Sequence, residues 1–196
     1  MNTNAPSAPS PVISQNPAVT RPADVGAALV HSLGADIVCA GSEAEARFLR
    51  DWVTLTPVVP LAVVRPRNVD QVSRTLALCH AWRVPVGPQG GLTGLVGGAR
   101  PLADGIVLNL SHLCAAPQID TQARTATVEA GCTLQLLQET ARAHGLLFPV
   151  DFGARGSCQI GGIVATNAGG VHVMHYGMVR EQVPGLEAVL ANGTVL

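Results

Sequence analysis

The sequence predicts an α+β domain that opens with a β-α-β unit and continues into a mixed sheet. Three observations predict it. A β-rich run, a helix with one apolar face and a second β run lead straight into a glycine-rich loop between residues 58 and 98, an order that sets two strands parallel across one helix. Short β-rich runs then recur on either side of a second amphipathic helix. A last β run enters Asn192-Gly193, the dipeptide that most favours a hairpin turn. The chain's 196 residues suffice for one substantial domain and a tail.

Taken in order, Met1 to Thr20 carry Pro6, Pro9, Pro11 and Pro17 among Ser, Asn and Ala with no charge, so residues 1–21 are expected to be a disordered lead-in. Val25, Leu29 and Leu33 fall at helical spacing with Gly34 as a stop, and a second short helix is expected through Glu43 to Asp51, making 22–55 a helical preface. The domain proper is expected over 56–196. Val58 to Val64 is β-rich but broken by Pro60. Pro66 and Asn68 announce a helix with its buried stripe at Val69, Val72, Leu76 and Cys79, ending near Trp82. Val84 to Val86, Ile106 to Leu110 and Thr125 to Ala130 read as strands. Thr133 caps a helix with Leu134, Leu137 and Ala141 on one face and Gly145 beyond its end. Leu186 to Ala191 is a strand entering a type I′ turn at Asn192-Gly193, and only three residues return. The second sheet is therefore expected to be incomplete, the chain truncated at its C-terminus, and some apolar surface meant for further protein.

With 47% hydrophobic and 13% charged residues, against about 25% charged in ordinary domains, the chain must bury a core. All 12 cations are arginine. The absence of lysine excludes a lysine Schiff base and a Walker A loop. A net charge of -1 without a basic stripe argues against nucleic acid as a partner and favours a small molecule. Cys39, Cys79, Cys114, Cys132 and Cys158 are scattered, with no C-x-x-C, and read as reduced small hydrophobes. No apolar run is long enough to span a membrane and the first cation is Arg21, so neither a membrane span nor a signal peptide is expected and the expected compartment is the cytoplasm.

Twelve of the 21 glycines fall in two windows, Gly87 to Gly98 and Gly153 to Gly170. Backbone without Cβ can approach a ligand closely, and successive N–H groups can turn inward to solvate phosphate oxygens without a cationic side chain. Tight turns between strands are the alternative use. No G-x-G occurs, so the dinucleotide fingerprint of the Rossmann fold is absent. His172 and His175 form an H-x-x-H without a nearby acidic third ligand. Ser157 lies outside any G-x-S-x-G. Arg100 and Arg155 flank the glycine windows, either assisting phosphate charge or lying solvated at the surface.

Three segments, Pro85 to Gly98 (PVGPQGGLTGLVGG), Phe148 to Gly170 (FPVDFGARGSCQIGGIVATNAGG) and Tyr176 to Leu196, resemble the FAD-binding domain of the D-2-hydroxyglutarate dehydrogenase, D-lactate dehydrogenase and glycolate oxidase group, flavoproteins of the vanillyl-alcohol oxidase and p-cresol methylhydroxylase type. The resemblance runs from about Leu61 to Leu196. It implies the α+β FAD-binding fold of that type, a βαβ-containing first subdomain followed by an incomplete mixed or antiparallel sheet. It also implies a cofactor site. Gly90, Gly91, Leu92, Thr93, Gly94 and Leu95 would hold the FAD pyrophosphate through backbone N–H groups and the Thr93 hydroxyl, with Pro88 lining the cofactor beside them. Pro149, Asp151, Gly153, Gly156, Ser157, Ile160, Gly161, Gly162, Ala165, Asn167, Gly169 and Gly170 would line the ribityl chain and flavin, and Tyr176 and Gly177 match the family's Tyr-Gly beside that pocket. The first loop commonly reads GGNTGL in the group, where this chain has Leu92, and His175 stands where Arg is frequent. With no His or Cys in the first loop, the FAD is expected to be non-covalent.

The resemblance implies oxidation of a small D-2-hydroxy acid (2-hydroxyglutarate, lactate or glycolate class) by hydride transfer to flavin, with an electron acceptor afterwards. The family's substrate arginines, metal-binding histidines and base lie in later segments, so no catalytic residue and no metal site is assigned here. A non-catalytic FAD-binding module is the alternative, with room for a homodimer or a complementing partner; a generic nucleotide-binding module is a third.

Overall fold

The computed structural model of the chain describes residues 20–53 and 56–196; the expected lead-in lies outside the described residues apart from Thr20 and Arg21. Helix α1, Val25–Leu33, starts where the Asp24 carboxylate accepts from Ala27 N at 2.9 Å and stops at Gly34, whose φ is +102°. The expected preface is not wholly helical. Val38–Ala40 forms an edge strand, β1, antiparallel to β2, Ala62–Val64. The expected helix from Glu43 to Asp51 is replaced by two 3₁₀ turns, Gly41–Glu43 and Ala46–Leu49. The chain must turn there: a Cβ on Gly41 would overlap the Pro60 carbonyl, and Phe48 has to reach a core with Val63 and Val107.

Strand β2 is shorter than the β-rich run because Pro60 lacks an N–H and its carbonyl faces Gly41. Helix α2, Val69–Trp82, is capped by the Asn68 side chain on Gln71 N (2.9 Å) and closed by Arg83 in a left-handed conformation, φ +54°. Strand β3, Val86–Gln89, begins later than expected because Val84 N is spent on Cys79 O at the helix end. Strand β4, Ile106–Asn109, runs parallel to both β2 and β3 and lies between them, giving the order β1-β2-β4-β3. All four β4 residues are buried. Helices α1 and α2 cover one face through Val25, Leu29, Val72 and Cys79.

Beyond this sheet, β5 (Gln118–Asp120) and β6 (Thr125–Thr127) form a separate antiparallel ladder; β6 ends sooner than the pattern suggests. Helix α3, Leu134–Ala143, is capped by Thr133 and followed by Gly145 at φ +71°. Leu134 packs with Val150, Cys158, Ile163 and Val179 in a second core, to which the short helix α4, Ile160–Ala165, contributes. Helix α5 is the single turn Val173–Tyr176.

Among the described residues, the run from Leu186 makes one bridge, Val189 to Val195. Its turn is not type I′, because Gly193 has positive φ (+87°) and Asn192 does not. Gly193 N donates to Leu190 O and Leu190 N to Thr194 O, each at 2.8 Å, the pattern of a type I turn followed by a left-handed glycine. That shape seats Gly193 on α2, where the Ser73 hydroxyl donates to its carbonyl at 2.6 Å. A cleft of about 2070 Å³ is lined by residues of α2, β4, the β5-β6 ladder and the run that leads into this hairpin.

Candidate cofactor site

Parallel strands end in a row of outward N–H and C=O groups, and ligands of α/β sheets collect at those carboxyl ends. Here β3 ends at Gln89 and β4 at Asn109, both buried. The Gln89 amide donates to Phe48 O (3.1 Å) and Ala99 O (2.9 Å), tying both ends of the first glycine loop to the 3₁₀ turn beside it. Asn109 accepts from Ser111 N at 3.1 Å and from its hydroxyl, and its Nδ2 reaches Gly90 O at 3.5 Å. These amides hold the loop from below.

Among the described residues, no acceptor receives the backbone N–H groups of Gly91 to Gly98. A Cβ at Gly94 or Gly98 would meet nothing within 4 Å. Gly91 is different, because a Cβ there would overlap the Ser157 carbonyl, and at Gly90 it would stand 3.1 Å from Gln159 Oε1. The two glycine segments, far apart in sequence, therefore touch backbone to backbone along a seam at Gly90-Gly91 and Ser157-Gln159. Leu92 follows the seam with φ +58°, a region that a leucine side chain disfavours. Thr93 is half-buried, Leu95 is exposed, and Gly97 at φ +77° turns the loop beside the buried carboxylate of Asp51.

The second segment is anchored from both sides. Ile160 N donates to Cys132 O and Gly161 N to Ala130 O, each at 2.8 Å, which fixes the start of α4. Asp151 bridges Gly170, and Val171 N donates to Asp151 O at 2.8 Å. Arg155, read as either a phosphate aid or a surface residue, pairs with the Asp151 carboxylate at 3.3 Å, and Gln138 also reaches that carboxylate at 3.4 Å. Asn167 is left-handed, φ +49°, and its Oδ1 accepts from Arg180 N at 3.0 Å. Gly162 has no atom within 4 Å of a would-be Cβ, whereas Gly169 faces Met178 Sδ at 2.8 Å. Gly156 and Ser157 are exposed, as is Ala165. Tyr176 packs edge-on against His175 with ring centroids 4.4 Å apart, and Gly177 at φ +75° ends α5. His172 Nδ1 lies 3.0 Å from Pro149 O, so it buttresses the loop that carries Pro149 and Asp151.

The large cleft includes Pro88, Pro149, Ile160, Gly161 and Ala165 in its wall but none of Gly90 to Leu95. Of the expected residues, the seam brings together Gly90, Gly91 and Ser157. Sequence reasoning missed Gln89, Asn109 and Gln159. The signal for the first two was a polar residue closing each parallel strand; Gln159 had none. Among the described residues no cluster of three or more His, Cys, Asp or Glu could hold a metal. Burial pushes the thiols of Cys132 and Cys158 up, and that of Cys79 to about 11, so these buried cysteines stay protonated at neutral pH. His112, beyond the end of β4, is pushed down by burial and then by Arg65. No helix in the described residues is long and apolar enough to cross a membrane.

A family model described as an FAD binding domain matches residues 60–196. The chain is 42% identical over 146 residues to mitochondrial D-2-hydroxyglutarate dehydrogenase of Bos taurus, covering 74% of this chain and 27% of the relative. It is 44% identical over 147 residues to D-2-hydroxyglutarate dehydrogenase of Xanthomonas citri, covering 75% and 31%. The chain thus spans less than a third of the length of these curated relatives. Among solved structures, an alkyldihydroxyacetonephosphate synthase superposes with TM-score 0.78 at 19% identity, over 90% of this chain and 39% of that one. Phl p 4, a grass pollen allergen with glucose dehydrogenase activity, gives 0.73 at 24% identity, over 86% and 36%. These likenesses show the fold alone.

Proposed function

Because the chain belongs to the FAD binding domain family, with the vanillyl-alcohol oxidase type of α+β fold, we propose that it holds FAD non-covalently across the seam of its two glycine segments, as part of an oxidoreductase acting on a small D-2-hydroxy acid. The observation that carries this reading is the first loop. It offers a run of backbone N–H groups with no acceptor among the described residues and open space above Gly94 and Gly98, a combination suited to a pyrophosphate in a chain without lysine. The residues present fit the cofactor. The N–H groups of Gly91 to Gly98 and the Thr93 hydroxyl would bind phosphate, Gly162 leaves room beside the second segment, and Gln89 and Asn109 hold the loop rigid. When bound, FAD supplies the acceptor for the hydride that leaves C2 of the hydroxy acid.

Non-covalent attachment is supported by the absence of His and Cys from residues 88–98 and by the burial of Cys158, the one thiol in the second segment, in the core. The relatives' activity supports the substrate class. A specific observation also favours the second reading, a binding module that needs further protein for turnover: the carboxylate of Asp151, the acidic residue among the expected site positions, is tied to Arg155 and Gln138 within the loop's own framework.

Purification with added FAD tests the first part. A flavin spectrum, with all flavin released by acid precipitation, is expected; a colourless protein that leaves FAD fluorescence unchanged overturns the cofactor reading. Reduction of dichlorophenolindophenol with D-2-hydroxyglutarate, D-lactate or glycolate then separates the two roles. Turnover by this chain supports the complete dehydrogenase, and flavin binding without turnover supports the module.

A further inference from the structure

Gln159 is 8% exposed, yet its buried Oε1 has no hydrogen-bond partner among the described residues. Buried amides of folded proteins are nearly always paired, and the other buried amides close by are held: Asn109 is bonded through both ends, and Gln89, whose Oε1 is likewise unpaired, makes two bonds through its nitrogen. The position makes the exception informative. Gln159 directly precedes α4, its main chain is fixed by a bridge to Thr133, and its Oε1 faces Gly90. It stands where the two glycine segments meet, beside the place where a ligand would cross from one to the other.

We propose that Gln159 is a further cofactor-binding residue whose amide makes a polar contact with the FAD chain at this seam. The inference rests on the FAD reading above. A primary amide suits the place: it can donate to a phosphate or accept from a hydroxyl, and rotation about its last torsion exchanges the two roles without moving the backbone. The side chain is neutral, so it adds no repulsion to a pyrophosphate that the loop binds without cations.

A structural role and a ligand role predict opposite changes when the amide is removed. Gln159→Leu keeps the bulk and deletes both polar atoms. If the amide serves the ligand, the FAD-free variant is at least as stable as the parent, because a buried unpaired group is replaced by an apolar one, while the FAD dissociation constant measured by flavin fluorescence rises about tenfold. Gln159→Glu, which sets a carboxylate beside the phosphates, raises it further, by about a hundredfold, with the flavin absorption envelope altered in whatever complex remains. An unchanged dissociation constant in Gln159→Leu, or a lower thermal midpoint of the FAD-free protein with no change in affinity, overturns the proposal while leaving the FAD reading intact. Failure of the parent chain to bind FAD overturns both.

Discussion

In the first glycine segment a Cβ at Gly94 or Gly98 would meet nothing within 4 Å, whereas in the second a Cβ at Gly161 would lie 2.9 Å from Ala130 Cβ and one at Gly170 would run into the Asp151 backbone. The two segments look alike in sequence and omit the side chain for opposite reasons. In the first, the space a side chain would fill is empty, and on the proposed reading the cofactor occupies it. In the second, glycine lets protein backbone close on protein backbone, so that α4 and the strand-like pairing of Asp151 with Gly170 can form at all. Each segment also has exceptions that lie on the pattern of the other: Gly90 and Gly91 are close-packed because they make the seam, and Gly153 and Gly162 are open.

The largest effect should follow from breaking the packed class. Gly170→Ala meets two penalties at once, a left-handed φ of +77°, which costs an L side chain roughly 1–2 kcal/mol, and overpacking against Asp151, which costs about 1–3 kcal/mol. A loss of about 3 kcal/mol in urea unfolding is expected, with Gly91→Ala also destabilising because the Ser157 carbonyl cannot yield without opening the seam. Gly94→Ala should do the reverse. Its stability should stay within about 0.5 kcal/mol of the parent, while FAD binding weakens by about tenfold, or ~1.4 kcal/mol, read by fluorescence titration. Should Gly94→Ala cost as much stability as Gly170→Ala, the first loop would be a packing device like the second, and its claim to a ligand would fall.

How much of this could be seen in the sequence depended on the distance over which each feature is determined. Helices α2 and α3 were legible because their causes are local: Asn68 and Thr133 as caps, and apolar residues at helical spacing behind them. The three-residue strands β1 and β5 were not, since strands so short show no alternation and exist only because a partner lies beside them. The Asn192-Gly193 turn was located but mistyped, because its seat on Ser73 of α2 is a tertiary contact. Both glycine windows were visible as composition, but the difference between them was not. Whether Gly94 is open and Gly161 closed is decided by residues such as Ala130 that no spacing rule connects to them. The burial of Gln159 was hidden for the same reason.

Leu92 lies on the boundary between the two behaviours and carries the smallest of the expected effects. It follows Gly91, which is pinned against the second segment, and precedes Gly94, which is open. The backbone can bridge these only by passing through φ +58°. Of the four described non-glycine residues with positive φ, Arg83, Leu92, Arg124 and Asn167, Leu92 alone has an aliphatic side chain. Asparagine is several-fold enriched in that conformation, so Leu92→Asn should raise the urea midpoint by the equivalent of about 1 kcal/mol with an unchanged m value. The FAD dissociation constant should move less than threefold, because the N–H groups stay where they are. A neutral or destabilising outcome would mean that the half-buried leucine side chain gains more from its contacts than its backbone loses, and the seam would then be held by side-chain packing in addition to the backbone contact at Gly91.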